Sequence, residues 1–158
     1  MLRARIRRAF RRRSPSGPAR TAYAGDFTGV ATLEYTPHDD DRADPGEVVW
    51  AWVPFEEDPR RGKDRPALVV GRDGAYLLAL MLTSKDHDRD VAAEARRGRH
   101  WVDIGPGGWD PGGRPSEVRV DRVLRLDAAV VRRVGAVLDR QRYDVVTRQA
   151  RQVLGWDA

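Results

Sequence analysis

The sequence predicts a mainly β domain, a small barrel or strongly curved sheet, that is closed by one helix near its C-terminus. Short runs of apolar and β-branched residues follow one another at close spacing from residue 46 onward. Loops rich in glycine and proline separate these runs, and only the last stretch of the chain shows the apolar spacing of a helix. At 158 residues, 41% of them hydrophobic, the chain has the size of one folded domain with appendages.

The first three strands are predicted from residues 46–84. The run GEVVWAWVPF alternates two tryptophans with Val49, Ala51 and Val53, which is the two-residue period of a strand. The runs RPALVVG and AYLLALMLTS are continuously apolar, as expected of strands buried on both faces. The Asp-Gly between them is a strong hairpin signal, so we expect them to pair.

Further short strands are predicted in HWVDI, SEVRV and RRVGAVL, with an irregular connection, DRVLRLDAAV, between the last two. The segment GPGGWDPGGRP contains too much glycine and proline to be anything but a loop, and it presents Trp109 at its middle. Residues 139–154 predict the closing helix. Asp139 is a suitable N-cap and Gly155 a suitable stop.

The N-terminal region divides into two segments of opposite charge. Residues 1–20 contain eight arginines and no acidic residue, so the rest of the chain carries a net charge of −3, from 21 basic and 24 acidic residues. This basic tail is expected to be a flexible extension, either disordered or a short helix that contacts nucleic acid or, through residues 1–13, an anionic membrane. Residues 21–45 are expected to form an exposed acidic linker or arm, with one candidate strand at residues 29–35.

Several classes of protein are excluded or disfavoured by composition. The chain has no cysteine and no segment near the roughly 20 apolar residues of a spanning helix, so we expect a cytoplasmic protein without disulfides. His38, His87 and His100 are scattered without ligand spacing, and HDDDRAD lacks the glycine and distal glutamate of a calcium loop. No metal site and no cofactor is expected.

The segment RRGKDRPALVV crowds four cations against the start of a strand. Arg60, Arg61, Lys63 and Arg65 repel one another there, which predicts an anionic partner outside the chain. We expect Arg60, Arg61 and Lys63, together with Arg72, to bind the phosphates of a nucleic acid. Trp109 is the candidate surface on which an unpaired base would stack.

The order of these segments resembles the PemK/MazF toxins of bacterial type II toxin–antitoxin pairs. The resemblance is carried by GEVVWAWV, by GKDRPALVVGRD with its Arg-Pro, and by LALMLTS with its Leu-Thr-Ser. SEVRVDRVLRLD and VGAVLDRQRYDVVTRQARQVLG look like the late strands and closing helix of that family. The resemblance covers roughly residues 46–156.

That resemblance implies an SH3-like barrel of the CcdB/Kid/MazF type, usually a homodimer, held in check by an antitoxin. It implies cleavage of single-stranded RNA at short sequences without metal, leaving a 2′,3′-cyclic phosphate and a 5′-hydroxyl. The family's catalytic Arg falls on Arg65 and its catalytic Thr on Thr83.

Elementary chemistry assigns a role to each candidate catalytic residue. The Arg65 guanidinium suits stabilisation of the phosphorane, but because it stays charged it is a poor general base. Thr83 can donate a hydrogen bond to the same phosphate, with Ser84 as a second candidate donor. The base is left open between His87, whose unperturbed pKa lies near 6.5, and two glutamates in the loop before Arg65, Glu56 and Glu57.

Each of these residues also has an ordinary structural interpretation. Arg65 would then form an ion pair with Asp64 or Asp73, Thr83 would be a strand-end hydroxyl, and His87 an exposed loop histidine. Two other functions therefore stay open, a non-catalytic module that binds DNA or RNA, and a toxin of the same fold that poisons a protein such as DNA gyrase.

Overall fold

The computed structural model describes residues 22–86 and 90–157, with the backbone alone for residues 133–135. The basic tail, including the proposed membrane segment, and His87 lie outside the described residues. The elements in chain order are β1 (Glu47–Pro54), β2 (Gly62–Asp73), β3 (Tyr76–Thr83), α1 (Val91–Arg96), β4 (Trp101–Gly105), β5 (Ser116–Arg119), β6 (Leu124–Asp127), β7 (Arg132–Val137) and α2 (Arg140–Leu154).

The strands form one antiparallel, curled sheet in the order β4-β5-β3-β2-β1-β7, with β6 also paired to β3. The predicted fold class, mainly β with a C-terminal helix, is confirmed. Within the described residues, no helix combines the length and the apolar character needed to cross a membrane.

The two faces of the central strands bury different clusters. Because side chains alternate along a strand, Val48 and Leu68 face one way while Val49 and Ala67 face the other. The first face packs against α2, and the second carries a smaller cluster that includes Met81. The predicted hairpin joins β2 to β3 with Asp73 paired to Tyr76, and Gly74 adopts the positive φ of 58° that this two-residue turn requires.

Helix α2 has the ends that its sequence predicts. The Asp139 side chain accepts a hydrogen bond from the backbone N–H of Arg142, and Gly155 ends the helix in the left-handed conformation. Tyr143, Val146 and Ala150 recur at helical spacing and are buried against the sheet.

Two elements were not predicted. Strand β6 lies within the stretch predicted to be irregular, and it has four residues whose pairing with β3 buries Leu124 and Leu126. Helix α1 has six residues in a highly charged stretch, and the carboxylate of Glu94 anchors it to Arg99 and Trp101. Both elements depend on tertiary contacts that a short window of sequence does not contain.

The segment before β1 lies against the domain. Phe27 stacks edge-to-face on Trp156, and Tyr35 donates a hydrogen bond to the Leu138 carbonyl. The candidate strand at residues 29–35 does not form a strand in the described structure, although the Glu34 N–H donates to the Val70 carbonyl at 3.0 Å. In the segment expected to be an exposed linker, residues 38–42 are exposed, several residues of 23–37 are half-buried, and residues 43–45 are buried.

Candidate active site

A cavity of about 750 Å³ opens at one end of the sheet. The ends of β1, β2 and β3 form its floor, and the β1–β2 loop, α1 and the β4–β5 pair form its walls. Six basic side chains line it against three glutamates, which gives it a cationic interior suited to an anion. The basic residues are Arg65, Lys85, Arg97, Arg99, Arg119 and Arg122, and the glutamates are Glu56, Glu57 and Glu94.

Strand pairing brings Arg65 and Thr83 into this cavity together. Ala67 of β2 pairs with Met81 of β3, and both lie in the cluster on the face away from α2. Two residues further along each strand on the same face are Arg65 and Thr83, and both line the cavity. The β2–β3 pairing ends at Ala67 and Met81, two residues before these side chains, so Arg65 and Thr83 come from neighbouring strand ends and line one cavity, where both could contact the same group.

Arg65 is a partly buried cation without an ion-pair partner among the described residues. The two carboxylates proposed as its partners are engaged elsewhere, since Asp64 pairs with Arg132 and Asp73 lies 3.9 Å from Arg125. Burial lowers the pKa of the Arg65 guanidinium from its ordinary value. A guanidinium in this position is prepared to bind an anion that comes from outside.

The hydroxyl of Thr83 lies at the mouth of the same cavity. Its Oγ1 accepts a hydrogen bond from the backbone N–H of Lys85 at 3.2 Å, so the hydroxyl hydrogen is left to donate. Ser84, the second candidate donor, is exposed and lines a separate space of about 380 Å³. The structure therefore brings Thr83, and not Ser84, together with Arg65.

Other cations of the cavity are held by carboxylates. Arg119, only 6% exposed, contacts Glu56 at 2.6 Å and Asp121 at 2.8 Å. Although burial favours its neutral form, the hydrogen bonds and charges of Asp121 and Glu56 raise the pKa of Arg119. Arg99 contacts Glu94 at 2.7 Å, and this hydrogen bond raises its pKa as well. These groups are fixed by the protein, in contrast to Arg65.

The sequence analysis missed Arg119, Arg99 and Glu94. A signal for Arg119 was present in SEVRV, where charged residues alternate with valines. The sequence predicts only a short strand there, whereas in the structure Glu117 and Arg119 are 5% and 6% exposed. The signal was weak because burial of the charged face depends on β4 and the β1–β2 loop, which are distant in sequence.

The predicted phosphate-binding cations lie in two places. Arg60 and Arg61 belong to the β1–β2 loop at the rim of the cavity, where Arg60 pairs with Asp58 at 3.1 Å and Arg61 lies over the Phe55 ring. Lys63 is exposed near the start of β2. Arg72 lies seven residues along β2 from Arg65, roughly 20 Å away at strand spacing, and contacts Asp44 at 2.7 Å. It does not belong to this site.

The prediction that Trp109 stacks on an unpaired base is wrong. The side chain is 1% exposed, its Nε1 donates to Ser116 Oγ at 3.0 Å, and its carbonyl accepts from Trp50 Nε1. An indole enclosed in this way fills the core under its loop, where a base cannot reach it. Trp101 is the indole that lines the cavity, and it donates to Glu94.

Comparison with known proteins gives one finding. The sequence model of a family described as PemK-like, MazF-like toxin of type II toxin–antitoxin system matches residues 44–154, well over half of the chain. A search of curated proteins found no match. The matched region contains β1 through α2, and with them every residue that lines the cavity. The chain therefore belongs to the PemK-like, MazF-like toxins of type II toxin–antitoxin systems.

Proposed function

We propose that this protein is a toxin endoribonuclease of the cytoplasm that cleaves single-stranded RNA at short sequences without a metal ion. The family makes toxin ribonuclease activity the general expectation and an antitoxin the expected partner. The observation that carries the proposal is Arg65, a partly buried guanidinium without a described partner, beside the Thr83 hydroxyl in a cationic cavity. As in the family, we expect a homodimer.

The reaction that suits this cavity is attack of a ribose 2′-hydroxyl on the adjacent phosphate. The bond from O2′ to phosphorus forms while the bond from phosphorus to O5′ breaks, which leaves a 2′,3′-cyclic phosphate and a 5′-hydroxyl. One proton leaves O2′ and another reaches O5′. In this mechanism Arg65 binds the phosphorane oxygens through two parallel N–H groups. Thr83 donates a third hydrogen bond to the same phosphate.

Three further cations would hold the strand on either side of the scissile phosphate. Lys85 lines the cavity close to Thr83. Arg60 and Arg61 do not line it but belong to the same loop as Phe55, which does, and Arg61 lies over the Phe55 ring. Contacts of this kind bind the backbone and fix its register without reading the bases.

The proton acceptor of this mechanism is assigned to Glu57. Glu56 is engaged by Arg119, whereas Glu57 lines the cavity with no ion pair among the described residues. A carboxylate is a better acceptor than Arg65, which stays protonated even with its lowered pKa. His87 stays a second candidate from the sequence, because it lies outside the described residues.

The proposal is tested by incubating the purified protein with mixed RNA in EDTA and mapping the new 5′ ends. We expect discrete ends with 5′-hydroxyls next to a short common sequence, and their loss in Arg65→Ala. A protein that binds RNA yet yields no new ends in either form would instead be the non-catalytic binding module.

A further inference from the structure

A second cluster of polar groups lies at the opposite end of β2 from the cavity. It consists of His38, Asp40 and Asp44, whose potential ligand atoms all lie within 4.8 Å of one another. Asp44 is 7% exposed, while His38 and Asp40 are exposed. The cluster joins the segment before β1 to β2, because Arg72 donates to Asp44 Oδ1 at 2.7 Å and to the Ala43 carbonyl at 3.0 Å.

One buried oxygen of this cluster makes no hydrogen bond within the described part of the chain. This atom is Asp44 Oδ2. The rest of Asp44 is well satisfied, since Arg72 binds Oδ1 and the Asp44 N–H donates to Glu47 Oε2 at 3.1 Å. A buried carboxylate oxygen without a partner is unfavourable, so a cation at this position would satisfy it.

The geometry around Asp44 Oδ2 suits a metal better than a hydrogen bond. His38 Nδ1 lies 3.5 Å from Oδ2, a separation at which a hydrogen bond is weak. Two donors that share one tetrahedral zinc ion at about 2.0–2.1 Å are about 3.3–3.4 Å apart, close to the distance seen here. Asp40 lies on the exposed loop, where its Oδ1 accepts a hydrogen bond from the Arg42 N–H at 3.0 Å, and its carboxylate is the third potential ligand within 4.8 Å.

We propose that His38, Asp40 and Asp44 bind one first-row divalent transition-metal ion, which fastens the segment before β1 to β2. The imidazole nitrogen favours such an ion over Ca²⁺ or Mg²⁺, which prefer oxygen ligands alone. Arg72 offsets part of the charge of Asp44, and Asp39 and Asp41 add negative charge around the loop. The sequence does not predict this site, because HDDDRAD lacks the glycine and distal glutamate of a calcium loop and the three histidines are scattered along the chain.

This ion has no part in the proposed cleavage. Arg72 marks the metal-binding end of β2 and Arg65 the cavity end, roughly 20 Å apart. Cleavage in EDTA and metal binding at His38 can therefore succeed or fail independently.

The test is isothermal titration of the untagged, full-length, chelator-treated protein with Zn²⁺, with Ca²⁺ as the comparison ion. We expect one Zn²⁺ per chain, no comparable binding of Ca²⁺, and an affinity at least about 10-fold weaker in His38→Ala and in Asp40→Asn. Asp41→Asn is the matched control, since it removes a neighbouring carboxylate outside the cluster, and it should bind as the parent does. Zinc at about 100 times its Kd should raise the unfolding temperature of the parent by roughly 5–10 °C.

The proposal is overturned if the parent takes up no zinc, or if His38→Ala and Asp41→Asn bind it as the parent does. Equal binding of Ca²⁺ that His38→Ala leaves unchanged would likewise overturn it, since the loop would then only attract cations through its charge. Loss of stability in His38→Ala without any zinc effect would show that His38 acts only as a cationic partner of Asp44. Both substituted side chains are exposed, so these variants are expected to fold.

Discussion

At the scale of single residues, the site depends on the charge of Arg65, which forms no ion pair with any described residue. The other arginines deep in the cavity, Arg119 and Arg122, contact carboxylates at 2.6–2.8 Å, whereas Arg65 contacts none that the structure describes. A partly buried charge without a partner works against folding. The proposed role in binding the RNA phosphate would explain its presence, so function and stability should respond oppositely to its removal.

Arg65→Met tests whether removal of this charge lowers activity while leaving stability unchanged or higher. Methionine keeps an apolar stem of similar length and removes the charge, so we expect RNA cleavage to fall by at least about 100-fold. The unfolding temperature should stay equal to that of the parent or rise, as measured by circular dichroism. A variant that loses activity because it unfolds earlier would contradict this account of Arg65.

Thr83 is tested by two substitutions of different chemistry. Thr83→Val replaces the hydroxyl by a methyl group of the same shape, and we expect cleavage to fall by roughly 10–100-fold because one hydrogen bond to the phosphate is lost. Thr83→Ser keeps the hydroxyl and should stay within a few-fold of the parent. Equal rates for the valine and serine variants, measured on one oligonucleotide, would show that the hydroxyl takes no part.

At the scale of elements, the β3–β5–β4 pairing continues the row of polar side chains beyond Thr83. Thr83 pairs with Glu117, and Glu117 pairs with Asp103 on the next strand. Partial desolvation of this largely exposed side chain, followed by the charge and hydrogen bond of Glu117 and the charge of Asp86, raises the pKa of Asp103. The folded state therefore disfavours the Asp103 carboxylate. This cost is absent below the ordinary pKa of Asp103, grows as pH rises from there to the raised pKa, and is constant above it.

Asp103→Asn should remove that cost. The amide keeps a hydrogen-bonding group beside Glu117 without its charge, so we expect the unfolding temperature at pH 7 to rise by roughly 1–3 °C. The difference between variant and parent should shrink towards pH 3, where Asp103 is protonated in both folded and unfolded chains. A variant whose advantage is the same at both pH values would contradict the raised pKa.

Elements with strong local signals were predicted, and those held by distant contacts were not. The β2–β3 hairpin and α2 carry their own turn and capping residues, Asp73-Gly74 and Asp139 with Gly155. Strand β6 and the buried position of Trp109 depend instead on β3 and on Ser116. A loop rich in glycine does not reveal whether its tryptophan points outward or into the core.

The candidate site divides in the same way. Arg65 and Thr83 could be found because Arg65 precedes one apolar run and Thr83 ends the next, each within a recognisable motif. The hairpin between these runs makes their outer ends neighbours. Arg119 and Glu94 could not be predicted from the sequence. Their place in the cavity depends on the curl of the sheet, which brings β5 and α1 to the same cavity as β2.

At the scale of the whole molecule, the charge is divided between the N-terminal tail and the rest of the chain. Residues 1–20 carry eight arginines, and the remainder has a net charge of −3. Long-range attraction of a polyanion should therefore come mainly from the tail, while the choice of cleavage sequence should come from the cavity.

Deletion of residues 1–20 tests this division. We expect the salt dependence of RNA binding to become less steep, because fewer counterions are released, with the set of cleaved sequences unchanged. Binding is measured across a series of salt concentrations and cleavage by mapping ends. A change in the cleaved sequence would show that the tail reads bases.

The account as a whole requires the Arg65 guanidinium and the Thr83 hydroxyl to act on the same phosphate. A double-mutant cycle of Arg65→Ala and Thr83→Val, read as the cleavage rate of one oligonucleotide, measures this most directly. We predict that the double variant is hardly slower than Arg65→Ala alone, because without the guanidinium the phosphate is no longer held against the hydroxyl. Rate losses that multiply, as for two independent sites, would contradict it.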